Sequence, residues 1–226
     1  MDRVVDFELR EGIATITLNS PSNRNALSRA LLEGLHEALD RADEAAARVI
    51  VLTHRGPAFC AGADLKERSA GPPDSSPFVR VLERLADTDA VSIAGVDGAV
   101  RAGGIGLMAA CDLVVVNAAT TFALTEVRIG VAPAIISVPI LARVPPARIA
   151  TAMLTGAPFS AADAREMGLV THVSDDVTAT VGELVSAITR GGPTAVAATK
   201  RLLRTVPTLD RDTAYARMRA LSDELF

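Results

Sequence analysis

Apolar runs that alternate with amphipathic helices constrain this chain more than any other feature of its sequence. The runs "RVIVLT" (48–53) and "VSIAGV" (91–96) are apolar along almost their whole length, as is typical of strands buried on both faces. Ahead of the first run, leucine recurs at every fourth position, at Leu31, Leu35 and Leu39, which predicts a helix with one buried face. Strands of this kind with helices between them predict an α/β fold.

The rest of the chain continues this alternation and then becomes mostly helical. A β-hairpin is expected where "VVDFEL" and "IATITLN" flank "REG", and the first helix is expected to begin at Ser28. Segments 54–67 and 69–77 are expected to be loops, the first of which leads into a short helix. Further strands are expected at 113–117 and 121–124 and in "LVTHV", and further helices at 78–87, from Pro145 to Leu154, after the cap residue Ser160, and over most of 177–226. No interdomain linker separates these elements, so they predict a single domain.

The composition excludes several classes of function. Of the 226 residues, 49% are hydrophobic and only 3% are aromatic, so aliphatic side chains must build the core. The 23 basic and 27 acidic residues give a net charge of −4, and no basic stripe or polybasic anchor suggests a nucleic acid or membrane partner. Cys60 and Cys111 lack metal-ligand spacing and are expected to be reduced core thiols. The N-terminus does not resemble a signal peptide, and no apolar run reaches the about 18 residues that span a bilayer, so a cytoplasmic location is expected.

The stretch "VRAGGIGLMAACD" places three glycines at the start of a short apolar helix. Gly104, Gly106 and Ala109 match the G-x-G-x-x-A pattern of a dinucleotide-binding loop, and Glu126 follows at a distance that the pattern allows. The context argues against that interpretation. Seven residues separate the preceding strand from Gly104, the helix is short, and Glu126 lies beyond a further strand.

Two loops, "CAGAD" (60–64) and "RAGG" (101–104), suggest a different use of glycine. Each loop follows a buried strand and opens a short helix, where backbone N–H groups have no acceptor within the helix. Two such donors aimed at one point form an oxyanion hole, which stabilises a thioester oxygen as it becomes an enolate. This chemistry needs no metal ion.

Six segments together resemble the enoyl-CoA hydratase/isomerase (crotonase) family in their order and spacing. They read "LNSPSNRNALS", "VIVLTHRGPAFCAGADLKE", "VDGAVRAGGIGLMAACDLVV", "FALTEVRIGVAP", "LTGAPFSAADAREMGLVTHV" and "KRLLR". The resemblance implies a crotonase-like spiral of ββα turns over 1–175 and a helical C-terminal part of the same domain over 176–226. It also implies assembly as a homotrimer or hexamer and an acyl-CoA or enoyl-CoA substrate, with coenzyme A entering as part of that substrate and no separate cofactor.

The resemblance also implies roles for individual residues. Ala63 and Gly103 match the two backbone donors of the oxyanion hole, and Glu126 matches the second catalytic carboxylate of the family. Judged from its surroundings alone, Glu126 lies in an apolar stretch that would raise its pKa and suit proton transfer; a structural ion pair with Arg128 is the alternative. The positions that match the coenzyme A site are Arg24, Ala26, Ala61, Ala63, Asp64, Leu65, Lys66 and Gly103.

Gly106 departs from the pattern of the two-carboxylate hydratases. In those members the first catalytic acid stands three residues after the oxyanion glycine, and Gly106 holds that position here. Asp97 and Asp112 are expected in a turn and at a helix end, so neither is a good substitute. Family members with one glutamate include isomerases that move the double bond of an enoyl-CoA, a task that needs only Glu126 and the oxyanion hole.

Two further features concern the acyl pocket. The candidates for its wall are Ala134, Ile135, Ile136 and Val138, with ordinary core packing as the alternative. Typical members of the family continue beyond the position of Phe226, so the resemblance implies a spiral that is shortened at its C-terminus. Together with Gly106, this shortening keeps a non-catalytic acyl-CoA-binding protein as the alternative function. His36, His54 and His172 form no constellation with other residues and receive no role.

Overall fold

The computed structural model describes residues 3–68 and 74–225. Its strands are β1 (Val5–Arg10), β2 (Ile13–Leu18), β3 (Val49–His54), β4 (Ala58–Cys60), β5 (Val91–Val96), β6 (Ala99–Arg101), β7 (Leu113–Asn117), β8 (Thr121–Ala123), β9 (Phe159–Ser160) and β10 (His172–Ser174). Its α-helices are α1 (Arg29–Glu44), α2 (Leu65–Arg68), α3 (Ser76–Asp87), α4 (Gly103–Ala109), α5 (Ala134–Leu141), α6 (Pro146–Thr155), α7 (Ala161–Met167), α8 (Val177–Thr189), α9 (Pro193–Thr205) and α10 (Arg211–Leu225). Short 3-10 helices cover Pro21–Asn23, Thr125–Ile129 and Val206–Thr208.

The strands form two sheets that are filled in turn as the chain advances. The larger sheet has the order β1-β2-β3-β5-β7-β10, and the smaller has the order β4-β6-β8-β9. Three successive strand pairs, β3/β4, β5/β6 and β7/β8, each place one strand in the larger sheet and the next in the smaller one. This repeat is a spiral of ββα turns, and it confirms the predicted fold class.

Most of the longer elements were predicted, whereas helix α5 and three short strands were missed. The predicted hairpin is β1 and β2, paired antiparallel, and Ser28 and Ser160 cap α1 and α7 as expected. The segment 54–67 is not only a loop, because it contains β4, and β6 and β9 were also missed. Each of these strands has only two or three residues, too few to show an alternating pattern. Helix α3 begins at Ser76, inside the loop predicted at 69–77, and residues 69–73 of that loop lie outside the described ranges.

Two apolar clusters hold the sheets and helices together. The larger cluster fills the space between the sheets and helices α1, α3 and α4, and it includes Phe59 and Phe122, both fully buried. The smaller cluster joins the other face of the larger sheet to α8 through Val177 and Val181. The larger sheet is therefore covered on both faces, which explains why its central strands are apolar along their whole length.

Asp112 is the centre of a buried charge cluster just after α4. Its carboxylate forms ion pairs with Lys200 Nζ at 2.8 Å and with Arg204 Nη2 at 3.2 Å, and it accepts hydrogen bonds from the backbone N–H and hydroxyl of Ser92. The Lys200 ammonium also donates to the carbonyl oxygens of Leu85 and Ala90. Burial lowers the pKa of Lys200, and the nearby Asp112 partly opposes that shift. The expected position of Asp112 at a helix end is confirmed, and its contacts give it a structural role.

We predict that Lys200→Met destabilises the protein by about 3 kcal/mol, because it leaves a buried carboxylate and two buried carbonyl oxygens short of a partner. The matched control is Arg201→Met on the same helix, since Arg201 pairs with Asp89 at the exposed surface. Its cost is expected to stay below about 1 kcal/mol. Urea unfolding of the three proteins measures both values, and equal losses in the two variants would contradict the prediction.

Candidate active site

Three segments that are far apart in the sequence reach the same edge of the smaller sheet. Strands β4, β6 and β8 are paired parallel in that order, so their carboxyl ends point the same way. Gly62 and Ala63 follow β4, Gly103 follows β6, and Glu126 follows β8. In α/β folds, this carboxyl edge is where ligands usually bind. Strand pairing thus brings the segments of the predicted oxyanion donors and of the predicted base to the same edge of the sheet.

Gly62 allows the first two of these segments to touch. Its φ is +87°, a conformation that favours glycine. A Cβ atom at this position would lie 2.8 Å from the Cβ of Ala102 and 3.3 Å from the backbone nitrogen of Gly103. No other residue would fit between the two loops without displacing one of them. The close approach therefore brings the loop 60–64, here called the Ala63 loop, beside the first turn of α4.

The loop 20–27 acts as a brace for the Ala63 loop. The carbonyl oxygen of Arg24 accepts a hydrogen bond from the N–H of Ala61 at 3.0 Å, and the carbonyl oxygen of Gly62 accepts one from the N–H of Leu27 at 2.8 Å. A parallel β-bridge joins Leu27 and Ala63. Arg24 thus contacts the site through its backbone, while its side chain is exposed.

Asn25 holds this brace in shape and was missed by sequence reasoning. It is fully buried, and its φ of +53° is in the left-handed region that asparagine tolerates better than most residues. Its amide donates to the carbonyl oxygens of Arg55 at 3.0 Å and Ala58 at 2.8 Å, and its Oδ1 accepts from the N–H of Ser20 at 2.7 Å. The turn-rich segment around Asn25 was the available signal, but its burial could not be read from the sequence.

Helix α4 begins with a strained residue. Ala102, just before the helix, has φ +48° and ψ −121°, which is unfavourable for a residue with a Cβ atom. Its N–H donates to the carbonyl oxygen of Ala123 at 3.0 Å, so the strain is held by pairing with the end of β8. This conformation turns the chain abruptly from β6 into α4 and sets where the N–H of Gly103 lies.

The two predicted oxyanion donors have no acceptor within the described part of the chain. Neither the N–H of Ala63 nor that of Gly103 donates to a backbone or side-chain oxygen of residues 3–68 and 74–225. Ala63 is exposed, whereas Gly103 is buried beneath the side chain of Leu27. Two unused donors on touching loops have the chemical character of an oxyanion hole.

Glu126 lies in the 3-10 helix that follows β8, and its carboxylate is unusual. Its Oε2 atom is buried and has no hydrogen-bond partner among the described residues. Burial raises the pKa of this carboxyl, as is expected when an anion loses solvent. The alternative ion pair with Arg128 is wrong, because the Arg128 guanidinium donates to the carbonyl oxygen of Thr155 at 3.2 Å instead. A half-buried carboxyl with one buried and unpartnered oxygen is available to accept a proton.

Gly104 and Gly106 serve packing rather than ligand approach. A Cβ atom on Gly104 would lie 2.7 Å from both the Cβ and the carbonyl oxygen of Cys60, and one on Gly106 would lie 2.4 Å from Cγ2 of Ile136. Gly104 therefore makes close contact with β4 and leaves no space for a ligand on that side. This packing also rules out the dinucleotide-loop interpretation, because both glycines face protein atoms.

The comparisons with known proteins identify the family of this chain. A sequence profile described as enoyl-CoA hydratase/isomerase matches residues 8–224. The chain belongs to the enoyl-CoA hydratase/isomerase family. The crystal structure of an enoyl-CoA hydratase from Mycobacterium avium is 42% identical, with a TM-score of 0.81 over 91% of this chain and 83% of that one. An enoyl-CoA hydratase structure from Mycobacterium smegmatis is 32% identical, with a TM-score of 0.91 over 97% and 89% of the two chains. Among curated sequences, mevalonyl-coenzyme A hydratase of Aspergillus fumigatus is 36% identical over 83% of this chain and 73% of its own length.

The residues predicted to bind coenzyme A lie on the Ala63 loop, on the segments that flank it and at the start of α4. Ala26 is buried at the brace, Ala61 is half-buried, and Lys66 is exposed. Asp64 faces its own loop, since its carboxylate accepts from Asn23 Nδ2 at 3.3 Å and from the N–H of Lys66 at 3.0 Å. The side chain of Leu65 lies outside what the structure describes.

Asp97 and the two cysteines lie in structural positions, although Cys60 ends β4 and so stands at this edge. Asp97 is exposed in the turn between β5 and β6, as expected, and its N–H donates to His54 Nε2 at 3.0 Å. Cys60 and Cys111 are buried free thiols, and burial raises the pKa of each to about 12. Over the ranges that the structure describes, no group of His, Cys, Asp and Glu is placed to hold a metal ion, and no helix is long and apolar enough to cross a membrane.

We predict that Glu126→Gln raises the melting temperature by about 2 °C or more near neutral pH. Burial raises the pKa of Glu126 in the folded protein above its pKa in the unfolded chain, which is about 4. The contribution of this group to stability is therefore fully present below the pKa of the unfolded chain, and it is lost as the pH rises through the pKa of the folded protein. The advantage of the glutamine should therefore disappear near pH 4. Thermal unfolding across pH measures it, with exposed Glu183→Gln on α8 as the matched control. A lower melting temperature than wild type at neutral pH would contradict the prediction.

Proposed function

We propose that this family member is an enzyme that moves the double bond of an enoyl-CoA thioester, with Glu126 as its one proton-transferring group. The observation that carries this proposal is the buried, unpartnered Oε2 atom of Glu126 at the edge where two unused backbone N–H groups also lie. A carboxylate with a raised pKa is a suitable general base near neutral pH. Backbone donors aimed at a developing oxyanion supply the largest single part of such catalysis.

The chemistry requires one base and one oxyanion site. Glu126 takes a proton from the carbon next to the thioester carbonyl of a 3-enoyl-CoA. The electron pair of that C–H bond moves into the thioester and gives a dienolate, whose oxygen accepts hydrogen bonds from the N–H groups of Ala63 and Gly103. The protonated Glu126 then returns the proton to the far carbon of the former double bond, and the electron pair moves back. The product is the 2-enoyl-CoA, and the enzyme is unchanged.

The positions that match the coenzyme A site support the same substrate class. The exposed side chains of Arg24 and Lys66 lie on the two segments that flank the Ala63 loop. Cations on such flanking segments suit the phosphates of coenzyme A, which are recognised by charge-assisted hydrogen bonds. The thioester would then reach the N–H of Ala63 from this side.

We predict that the wild-type protein converts a 3-enoyl-CoA into the 2-enoyl-CoA and that Glu126→Gln lowers turnover by about 100-fold or more, because the amide cannot take up the proton. Acyl-CoA affinity should be largely kept. Turnover should rise with pH as Glu126 loses its proton, with a midpoint above the usual carboxyl range because burial raises its pKa. The rise in enoyl absorbance measures turnover, and Glu183→Gln is the control.

Two outcomes of this assay would contradict the proposal. Unchanged turnover in Glu126→Gln would make this carboxylate structural. Tight binding of acyl-CoA by the wild type, without turnover of either 2-enoyl or 3-enoyl substrates, would support the alternative of a non-catalytic acyl-CoA-binding protein.

A second prediction concerns the N–H of Gly103. Proline would remove it but would also restrict Ala102, whose ψ of −121° is poorly suited to a residue before proline. A backbone ester, made by replacing Gly103 with glycolate, removes only the N–H. We expect turnover to fall by about 100- to 1000-fold. The control is the same exchange at Ala147, an exposed first-turn position of α6. Full activity of the Gly103 ester would exclude Gly103 as an oxyanion donor.

A further inference from the structure

Helix α5 lies directly on the position where the two-carboxylate members carry their first acid. A Cβ atom on Gly106 would lie 2.4 Å from Cγ2 of Ile136, 2.7 Å from its Cβ and 3.2 Å from its Cα. Atoms of the side chain and of the backbone are both involved, so rotation of the Ile136 side chain alone cannot make room. The departure at Gly106 is therefore a filled position and not merely a missing carboxylate.

Contacts at both ends of α5 fix it in this place. Ile136 and Ile140 are buried, with 4% and 0% exposure, and both belong to the larger apolar cluster. Just beyond the helix, the Arg143 guanidinium donates to the carbonyl oxygens of Ala109, Cys111 and Asp112 at the end of α4. Two helices joined by core packing and by a buried arginine cannot move apart at little cost.

We infer that Ile136 is a specificity-determining residue that restricts this site to proton transfer and excludes the addition of water. This inference rests on the function proposed above. A water molecule that attacks a substrate needs polar partners to hold it and a base to activate it. Ile136 supplies an apolar surface at the position where the second base would stand. One carboxylate, Glu126, is then left to move a proton between carbons.

The experiment pairs a new carboxylate with removal of the residue that fills its place. Four variants are compared with wild type: Gly106→Glu, Ile136→Gly, the double variant of these two, and Gly106→Glu with Val138→Gly. Val138 lies on the same helix but is 73% exposed. Its change to glycine therefore lowers the stability of α5 in the same way but leaves the space beside residue 106 filled. Melting temperatures and the rates of 2-enoyl-CoA hydration and 3-enoyl-CoA isomerisation are measured for each.

We expect Gly106→Glu alone to lower the melting temperature by about 5 °C or more, because it overpacks the interface between α4 and α5. In the Ile136→Gly background the same glutamate should cost less than half as much, because only the backbone of position 136, at 3.2 Å, still crowds the new side chain. The double variant should raise the ratio of hydration to isomerisation by about tenfold or more over wild type. The Val138→Gly pairing should not restore the melting temperature, and it serves as a control for stability only.

Three results would overturn the inference. The first is a Gly106→Glu protein as stable as wild type, the second is equal rescue by Val138→Gly, and the third is a rescued double variant whose hydration rate does not rise. If the glutamate variants do not fold, Gly106→Ala with and without Ile136→Gly decides the steric claim, and absence of rescue there rejects it. Failure of wild type to isomerise any 3-enoyl-CoA would reject the proposed function instead, and it leaves the stability coupling between positions 106 and 136 as a separate result.

Discussion

Parallel pairing of three short strands is the constraint on which the candidate site depends. β4, β6 and β8 contain three residues each, yet their common direction sends Gly62, Gly103 and Glu126 to one edge. The strands are too short to be stable by themselves. Each follows a strand of the larger sheet after a short connection, so the burial of that sheet fixes where each begins. The packing of the large apolar core in this way determines where a few polar atoms of the candidate site lie.

Helix α4 connects the predicted oxyanion donor at its start with the buried charge cluster just beyond its end. At its start, the strained conformation of Ala102 is maintained by a hydrogen bond to β8. At its end, Arg143 and Arg204 donate to the terminal carbonyl oxygens, and Asp112 anchors the chain to Lys200. Backbone strain persists only where its surroundings determine it fully. The buried charge cluster, which lies away from the proposed chemistry, thus helps to hold Gly103, the predicted oxyanion donor.

The sequence predicts the fold well and the site only in part. Long strands and helices carry repeated apolar patterns, which are enough to place them. The roles of Gly103 and Glu126 come from the family resemblance and stay predictions. Strands of two or three residues show no pattern, and α5 is apolar on all sides with Pro139 inside it, so it has no helical period to detect. The burial of Asn25 and the contact between Gly106 and Ile136 depend on residues five to thirty-three positions apart meeting in space, which local patterns do not record.

The glycines of the α4 segment show why position within a family motif is an incomplete guide to role. Gly103 offers an N–H group, Gly104 makes room for β4, and Gly106 makes room for α5. A motif comparison reads the last of these as a lost catalytic acid. The structure adds that Ile136 of α5 occupies the space directly beside position 106, so a carboxylate there would have to displace this helix. Since packing of this kind resists a single substitution, a carboxylate at position 106 requires a second change at position 136.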